Sequence, residues 1–97
     1  DTRNVYGAEA KYLLAQLYFD EGQADKAEKE VLDYIEVSTP HAYWLARSFI
    51  LLSDIYMEMG RELDAKQYLL SLKQNYQADD DIAEMIETRL VKLNKEE

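Results

Sequence analysis

An internal repeat, spaced by 38 residues, is the feature that most constrains how this 97-residue chain folds. Each unit carries, in order, a large apolar residue, a small residue, a tyrosine, a glycine, an alanine and two large apolar residues. The matched positions are Leu14 and Leu52, Ala15 and Ser53, Leu17 and Ile55, Tyr18 and Tyr56, Gly22 and Gly60, Ala27 and Ala65, Val31 and Leu69, and Leu32 and Leu70. Two copies of one pattern indicate two copies of one supersecondary unit, which stack to bury a shared core.

Apolar residues recur every three or four positions through most of the chain, which is the spacing of one helix face. Gly22 and Gly60 follow such runs and can close a helix in the left-handed conformation. The Ser-Thr-Pro segment at 38–40 is typical of a helix start, and the three aspartates at 79–81 favour another. The sequence therefore predicts no strands and five helices, at about residues 4–20, 24–37, 40–59, 62–75 and 80–94.

Small residues at matched points indicate how the two helices of each unit approach one another. Ala15 and Ser53 lie on the first helix of their units, and alanines 27 and 65 lie on the second. Close packing of two helices is easiest where the facing side chains are short. The tyrosine that precedes each glycine is expected to fill the groove between units.

This pattern resembles the tetratricopeptide repeat family, whose motif of about 34 residues has the same order of large, small, tyrosine, glycine and alanine positions. The resemblance covers residues 8–76. It implies an all-α fold, namely an α-solenoid of two helix-turn-helix repeats, wound as a right-handed superhelix. The repeats would occupy about residues 4–37 and 40–76, within one domain of residues 1–97. The longer spacing of 38 is similar to that of repeats in bacterial cell-envelope proteins.

The segment at about 80–94 is predicted to form a capping helix. A step of 34 residues beyond the second unit places Glu87 at the small-residue position, where a charge prevents another pair from stacking. Repeat arrays need such a polar end. The first helix lacks one, so we expect the chain to be the C-terminal part of a longer array, or to form a homo-oligomer through its N-terminal repeat.

Charge and composition exclude several classes of function. Twenty acidic residues against eleven basic ones give a net charge of −9, which opposes binding to nucleic acid and to anionic membranes. No apolar run approaches the roughly 20 residues of a membrane-spanning helix, so direct membrane insertion is not expected. With no cysteine and one histidine, disulfides and Cys/His zinc sites are excluded.

Candidate catalytic and metal-binding residues are equally sparse. His41 lies near no nucleophile motif, and the aspartates at 79–81 lack the glycine of a calcium loop, because Glu84 stands at its sixth position. The glycines are isolated and form no phosphate loop. We therefore predict that the chain is not an enzyme and binds no metal or other cofactor. A small-molecule binder or enzyme accessory domain is the least favoured class.

The resemblance also implies a binding surface, since first helices in this family line a concave groove that receives ligands. The residues at those positions are Glu9, Tyr12, Gln16, Phe19 and Asp20 in the first unit, and Arg47, Ile50, Asp54, Met57 and Glu58 in the second. We expect a scaffold or protein–protein interaction module that binds a peptide or helix of a protein partner. Alternatively, Ile50 and Met57 are buried by neighbouring helices, and the chain is a structural spacer or self-association module with an unused groove.

Overall fold

The computed structural model describes residues 5–36 and 42–95, and this part of the chain contains five α-helices and no strand. The helices are α1 (Val5–Asp20), α2 (Ala24–Glu36), α3 (Ala42–Glu58), α4 (Glu62–Asn75) and α5 (Ile82–Lys95). The predicted all-α fold is confirmed, and the described helix ends lie within two residues of the predicted ones. The predicted helix start at 38–40 and His41 lie outside the described residues.

Both predicted glycine turns close their helices in the same way. Gly22 and Gly60 have φ angles of 78° and 77°, which L-residues with a side chain rarely adopt. In the first turn the Gln23 N–H donates to the Tyr18 carbonyl at 2.9 Å, and in the second the Arg61 N–H donates to the Tyr56 carbonyl at 2.7 Å. This hydrogen bond is the signature of a Schellman motif, so the two units share their turn geometry as well as their sequence.

The two helix pairs, α1 with α2 and α3 with α4, pack tightly at the small residues. Ala15, Ala27, Ser53 and Ala65 are all buried, with at most 1% of their surface exposed. The Ser53 hydroxyl donates to the Ile50 carbonyl at 2.6 Å, so this buried polar group has its partner within its own helix. Further contacts join α2 to α3 and α4 to α5, which stacks the pairs in chain order.

The last helix packs against both helices of the second pair, and its exposed residues are mostly polar, apart from Ala83 and Val91. The Asp80 carboxylate accepts from the Ile82 N–H at 2.9 Å and so satisfies the first N–H of α5, which has no partner within the helix. The buried inner side of α5 is formed by four apolar residues, Ile82, Ile86, Leu90 and Leu93. Glu87 faces solvent and forms an ion pair with Lys73 of α4 at 2.6 Å.

The repeat tyrosine of the second unit lies between elements, as the sequence analysis expects. Tyr56 is buried, its ring lies 5.7 Å from that of Tyr68, and the Arg61 guanidinium lies 4.1 Å above it. Arg61 also donates to Glu28 of α2 at 3.3 Å. Arg61, stacked on Tyr56, therefore connects the second pair to the first.

This environment predicts that stability falls at alkaline pH. Burial, together with the nearby carboxylate of Glu28, raises the pKa of Tyr56 from 10.0 to about 12. Between those values the unfolded chain loses the phenol proton that the folded chain retains, so the free energy of unfolding decreases as pH rises from about 10 to about 12. Denaturant unfolding of the wild type and of Tyr56→Phe across this range measures the effect. An identical pH dependence of the two proteins would contradict it.

Candidate functional site

The first helices of the units and the capping helix lie side by side, because α1 contacts α3 and α3 contacts α5. We call the surface that α1, α3 and α5 share the first-helix face. All ten of the predicted partner-binding residues belong to α1 or α3, so the geometry of this face decides which of them a partner can contact.

Hydrogen bonds link α1 to α3 across the first-helix face. The Gln16 side-chain amide donates to Asp20 at 2.9 Å and accepts from the Tyr12 hydroxyl at 3.2 Å. The Tyr12 hydroxyl accepts in turn from Arg47 Nη2 at 3.0 Å. A hydrogen bond from Arg47 to Tyr12 thus joins α3 to α1. Because its donor is charged, this bond is stronger than one between two neutral groups.

The guanidinium of Arg47 extends this connection toward α5. Its Nη1 donates to the Tyr43 hydroxyl at 3.0 Å, and that hydroxyl donates to Asp81 at 2.9 Å, just before α5 begins. Arg47 also lies over three aromatic rings, 5.0 Å from the centroid of Tyr12, 5.8 Å from Tyr43 and 5.9 Å from Trp44. Cation–π attraction therefore adds to the hydrogen bonds that hold this residue in place.

A second charged pair joins α3 to α5. Arg89 donates to both carboxylate oxygens of Asp54, at 2.8 and 2.9 Å, and to the Met85 carbonyl at 3.1 Å. About a quarter of each ionic side chain is exposed. Two hydrogen bonds of this kind fix the orientation of both groups. The negative charge of Asp54 is therefore balanced by Arg89 within the first-helix face.

A hollow of about 350 Å³ opens beside this pair. Its apolar walls are Phe19 of α1 and Met57 of α3, and both side chains pack partly against the core. Carboxylates of Asp54, Glu58 and Glu62 line it as well, together with one basic side chain, that of Lys92. The hollow therefore combines apolar walls with an excess of negative charge. Such a surface is complementary to a ligand that carries an apolar side chain beside a basic one.

The ten predicted residues occupy three kinds of position. Tyr12 and Ile50 are buried, with 6% and 1% of their surface exposed, because α3 lies in the middle of the molecule and α1 packs against it. Partly buried are Glu9, Gln16, Phe19, Arg47, Asp54 and Met57, whereas Asp20 and Glu58 are exposed. Four of the ten, Phe19, Asp54, Met57 and Glu58, meet in the hollow.

The contribution of α5 to this face is not among the features predicted from the sequence. Arg89 and Lys92 stand 34 residues after Ile55 and Glu58, so the step that placed Glu87 also places them. The structure shows that α5 forms the third wall of the first-helix face.

Comparison with known families agrees with the geometry. The family model described as tetratricopeptide repeat matches residues 8–39 and 46–79, which is more than half of the chain. The chain belongs to the tetratricopeptide repeat family, and the cell-envelope type remains a prediction. No curated protein and no solved structure has significant similarity to it. Repeats of this family generally mediate protein–protein interaction or scaffolding and are typically not enzymatic.

Two further findings concern the part of the chain that the structure describes. None of its helices is long and apolar enough to cross a membrane. The acidic side chains of these described residues form no group of three that could hold a metal ion.

Proposed function

We propose that the first-helix face binds a segment of a partner protein and that the hollow is the centre of this site. An apolar side chain of the partner enters between Phe19 and Met57, and a neighbouring lysine or arginine approaches Glu58 and Glu62. The observation that carries the proposal is the hollow itself, since helices from both repeats and the cap meet there around two partly buried apolar groups.

The fixed contacts around the hollow support this assignment. Arg47 holds α1 and α3 through the Tyr12 hydroxyl, and the Asp54–Arg89 pair holds α3 and α5. A site whose walls are already connected loses little conformational entropy on binding. Arg47 and Tyr12 act in this account as supports for the site, whereas Met57 and Phe19 contact the partner.

The charge of the chain supports a basic partner. Glu58 and Glu62 are exposed at the edge of the hollow, and the whole chain carries a net charge of −9. A field of one sign attracts an oppositely charged partner and raises its association rate, and added salt weakens this effect. We therefore expect binding that weakens as the salt concentration rises.

Selection from a random peptide library displayed on phage tests the proposal without knowledge of the natural partner. We expect the selected peptides to share an apolar residue next to lysine or arginine. Because Glu58→Lys with Glu62→Lys reverses the charge at the hollow, it should lower the affinity of a selected peptide by about tenfold or more.

The matched control places the same charge change on another helix. Asp33 and Glu36 are exposed on α2, so Asp33→Lys with Glu36→Lys alters the net charge equally but leaves the hollow unchanged. This control should retain most of the affinity. Equal losses in the two double variants, or a selection that enriches no peptide, would reject the hollow as the binding site.

A further inference from the structure

A cleft of about 350 Å³ in the second helix pair is lined by three aromatic rings, and we call it the aromatic cleft. Phe49 and Tyr56 of α3 contribute two of the rings, and Tyr68 of α4 contributes the third. The ring centroids of Phe49 and Tyr56 lie 5.9 and 5.7 Å from that of Tyr68, so the rings form a continuous wall. Among the described residues, the backbones of α2 and α4 do not approach one another, and the cleft shares no residue with the hollow.

The first repeat shows that a helix pair can pack without these rings. The residues 38 positions before Phe49 and Tyr68 are Lys11 and Glu30, which form an ion pair at 3.2 Å. The same contact between the two helices of a pair is therefore ionic in one repeat and aromatic in the other. The aromatic wall is thus particular to the second repeat.

The cleft continues along α4 as an uncharged surface. Gln67 and Ser71 line the cleft and also a second, larger cavity, whose lining includes Leu70 and Gln74. In the first repeat, a lysine and an aspartate stand at the positions of Gln67 and Ser71. The segment 67–77 contains one charged residue in eleven, whereas 32% of the whole chain is charged. An elongated surface of this kind favours an extended, uncharged ligand.

The charged groups at the edge of the cleft are already paired with one another. Arg61 donates to Asp64 at 2.9 Å and to Glu28 at 3.3 Å, and its guanidinium lies 4.1 Å from the ring centroid of Tyr56. Arg61 thus takes the place that a cationic ligand would occupy over this ring, and it repels a second cation nearby. Two carboxylates already share Arg61, so an anionic ligand gains little there.

We propose that the aromatic cleft binds a proline-rich segment of a protein partner in the polyproline II conformation. Aromatic-lined grooves receive such segments, and this conformation is largely formed before binding, so little entropy is lost. A proline carries no N–H group and presents only its carbonyl as an acceptor. The lining supplies the matching donors, on the side chains of Arg61, Gln67, Tyr68 and Ser71.

Titration with a decaproline peptide, acetylated and amidated so that it carries no charge, tests the proposal. We expect the amide resonances of Phe49, Tyr68 and Ser71 to shift and those of Phe19 and Met57 at the hollow to stay in place. Because the ligand is uncharged, its affinity should change less than about twofold between low and high salt. An uncharged glycine–serine peptide of equal length should shift none of these resonances.

Exchanging the ring pair for the ion pair of the first repeat removes the aromatic wall. Phe49→Lys with Tyr68→Glu should fold, because the first repeat already makes this contact, and should lower the affinity for decaproline by about tenfold or more. The matched control, Ala83→Lys with Thr88→Glu, adds the same two charges at exposed positions of α5 and should retain the affinity.

A second variant tests the donors without altering the packing of the rings. Gln67 is exposed, and Gln67→Glu replaces an amide that donates with a carboxylate that only accepts. This variant should keep the helix content of the wild type and bind decaproline about threefold or more weakly. Peptide binding at the hollow should be unchanged.

Three results would overturn the proposal. The first is a decaproline titration that shifts no resonance, or only those of the hollow. The second is an affinity that neither the ring exchange nor Gln67→Glu reduces. The third is a shift of the cleft resonances with tetramethylammonium but not with decaproline, which would make the cleft a site for cations.

Discussion

Replacing Leu51 with alanine lowers the free energy of unfolding by about 2–5 kcal/mol, whereas the same replacement at Leu13 lowers it by less than about 1 kcal/mol. The two leucines occupy the same position in successive repeats. Leu51 is 2% exposed and Leu13 is 53% exposed, so only the first substitution leaves a cavity in the core. Urea denaturation followed by circular dichroism measures both values.

The comparison is well controlled, because residue type, repeat position and helical environment are the same in the two variants. Alanine is at least as good a helix former as leucine, so helix propensity does not produce the difference. Equal losses of stability would mean that α1 is as well covered as α3. That result would contradict the stacking order of the helix pairs.

The second large effect is expected where the two helices of a pair touch. Ala65 is fully buried, with 0% of its surface exposed, so Ala65→Leu forces three extra carbons into a filled space and lowers stability by about 1–3 kcal/mol or more. Ala27→Leu should behave in the same way in the first pair, because Ala27 is equally buried. The shift of the urea midpoint measures both effects.

Ala83→Leu is the matched control for these variants, since Ala83 lies exposed on α5. Its effect should stay within about 0.5 kcal/mol, as is usual for surface substitutions. If Ala65→Leu were as neutral as Ala83→Leu, the small residues would not determine how closely the helices of a pair approach.

Local signals were sufficient to predict most of the fold. Gly22 and Gly60 determine where α1 and α3 end, because a positive φ angle is required there and both neighbouring turns form the same hydrogen bonds. The matched alanines predicted the close approach within each pair, and all of them are buried. Such features depend on a few consecutive residues, so they can be read without knowledge of distant contacts.

The division of the first-helix face into buried and accessible residues could not be predicted in this way. Tyr12 and Ile50 share the sequence register of Phe19 and Met57, yet they are buried, whereas the latter two line the hollow. The difference arises from the angle and stagger between α1 and α3, which no local pattern specifies. The hydrogen bonds of Arg47 could not be predicted either, because it donates to the hydroxyl groups of Tyr12 and Tyr43, which belong to two different helices.

Periodicity likewise identifies an apolar side of a helix but not what covers it. Leu14 and Leu52 are the same residue at the same repeat position, and only the structure shows that one is exposed and the other buried. One sequence signal points to this difference, namely that the first helix has no polar side of the kind predicted for the last helix. That signal indicates an apolar surface that the other helices leave uncovered.

The central claim is that the first repeat packs on α3 so that the two first helices lie side by side. Nuclear Overhauser contacts between the rings of Tyr12 and Trp44, whose centroids are 5.5 Å apart, test it most directly. We predict strong contacts between these rings in the wild-type chain and their loss in Trp44→Leu. A Tyr12 ring that contacts only residues of its own helix would contradict the stacking of the repeats and, with it, the hollow on which the proposed function rests.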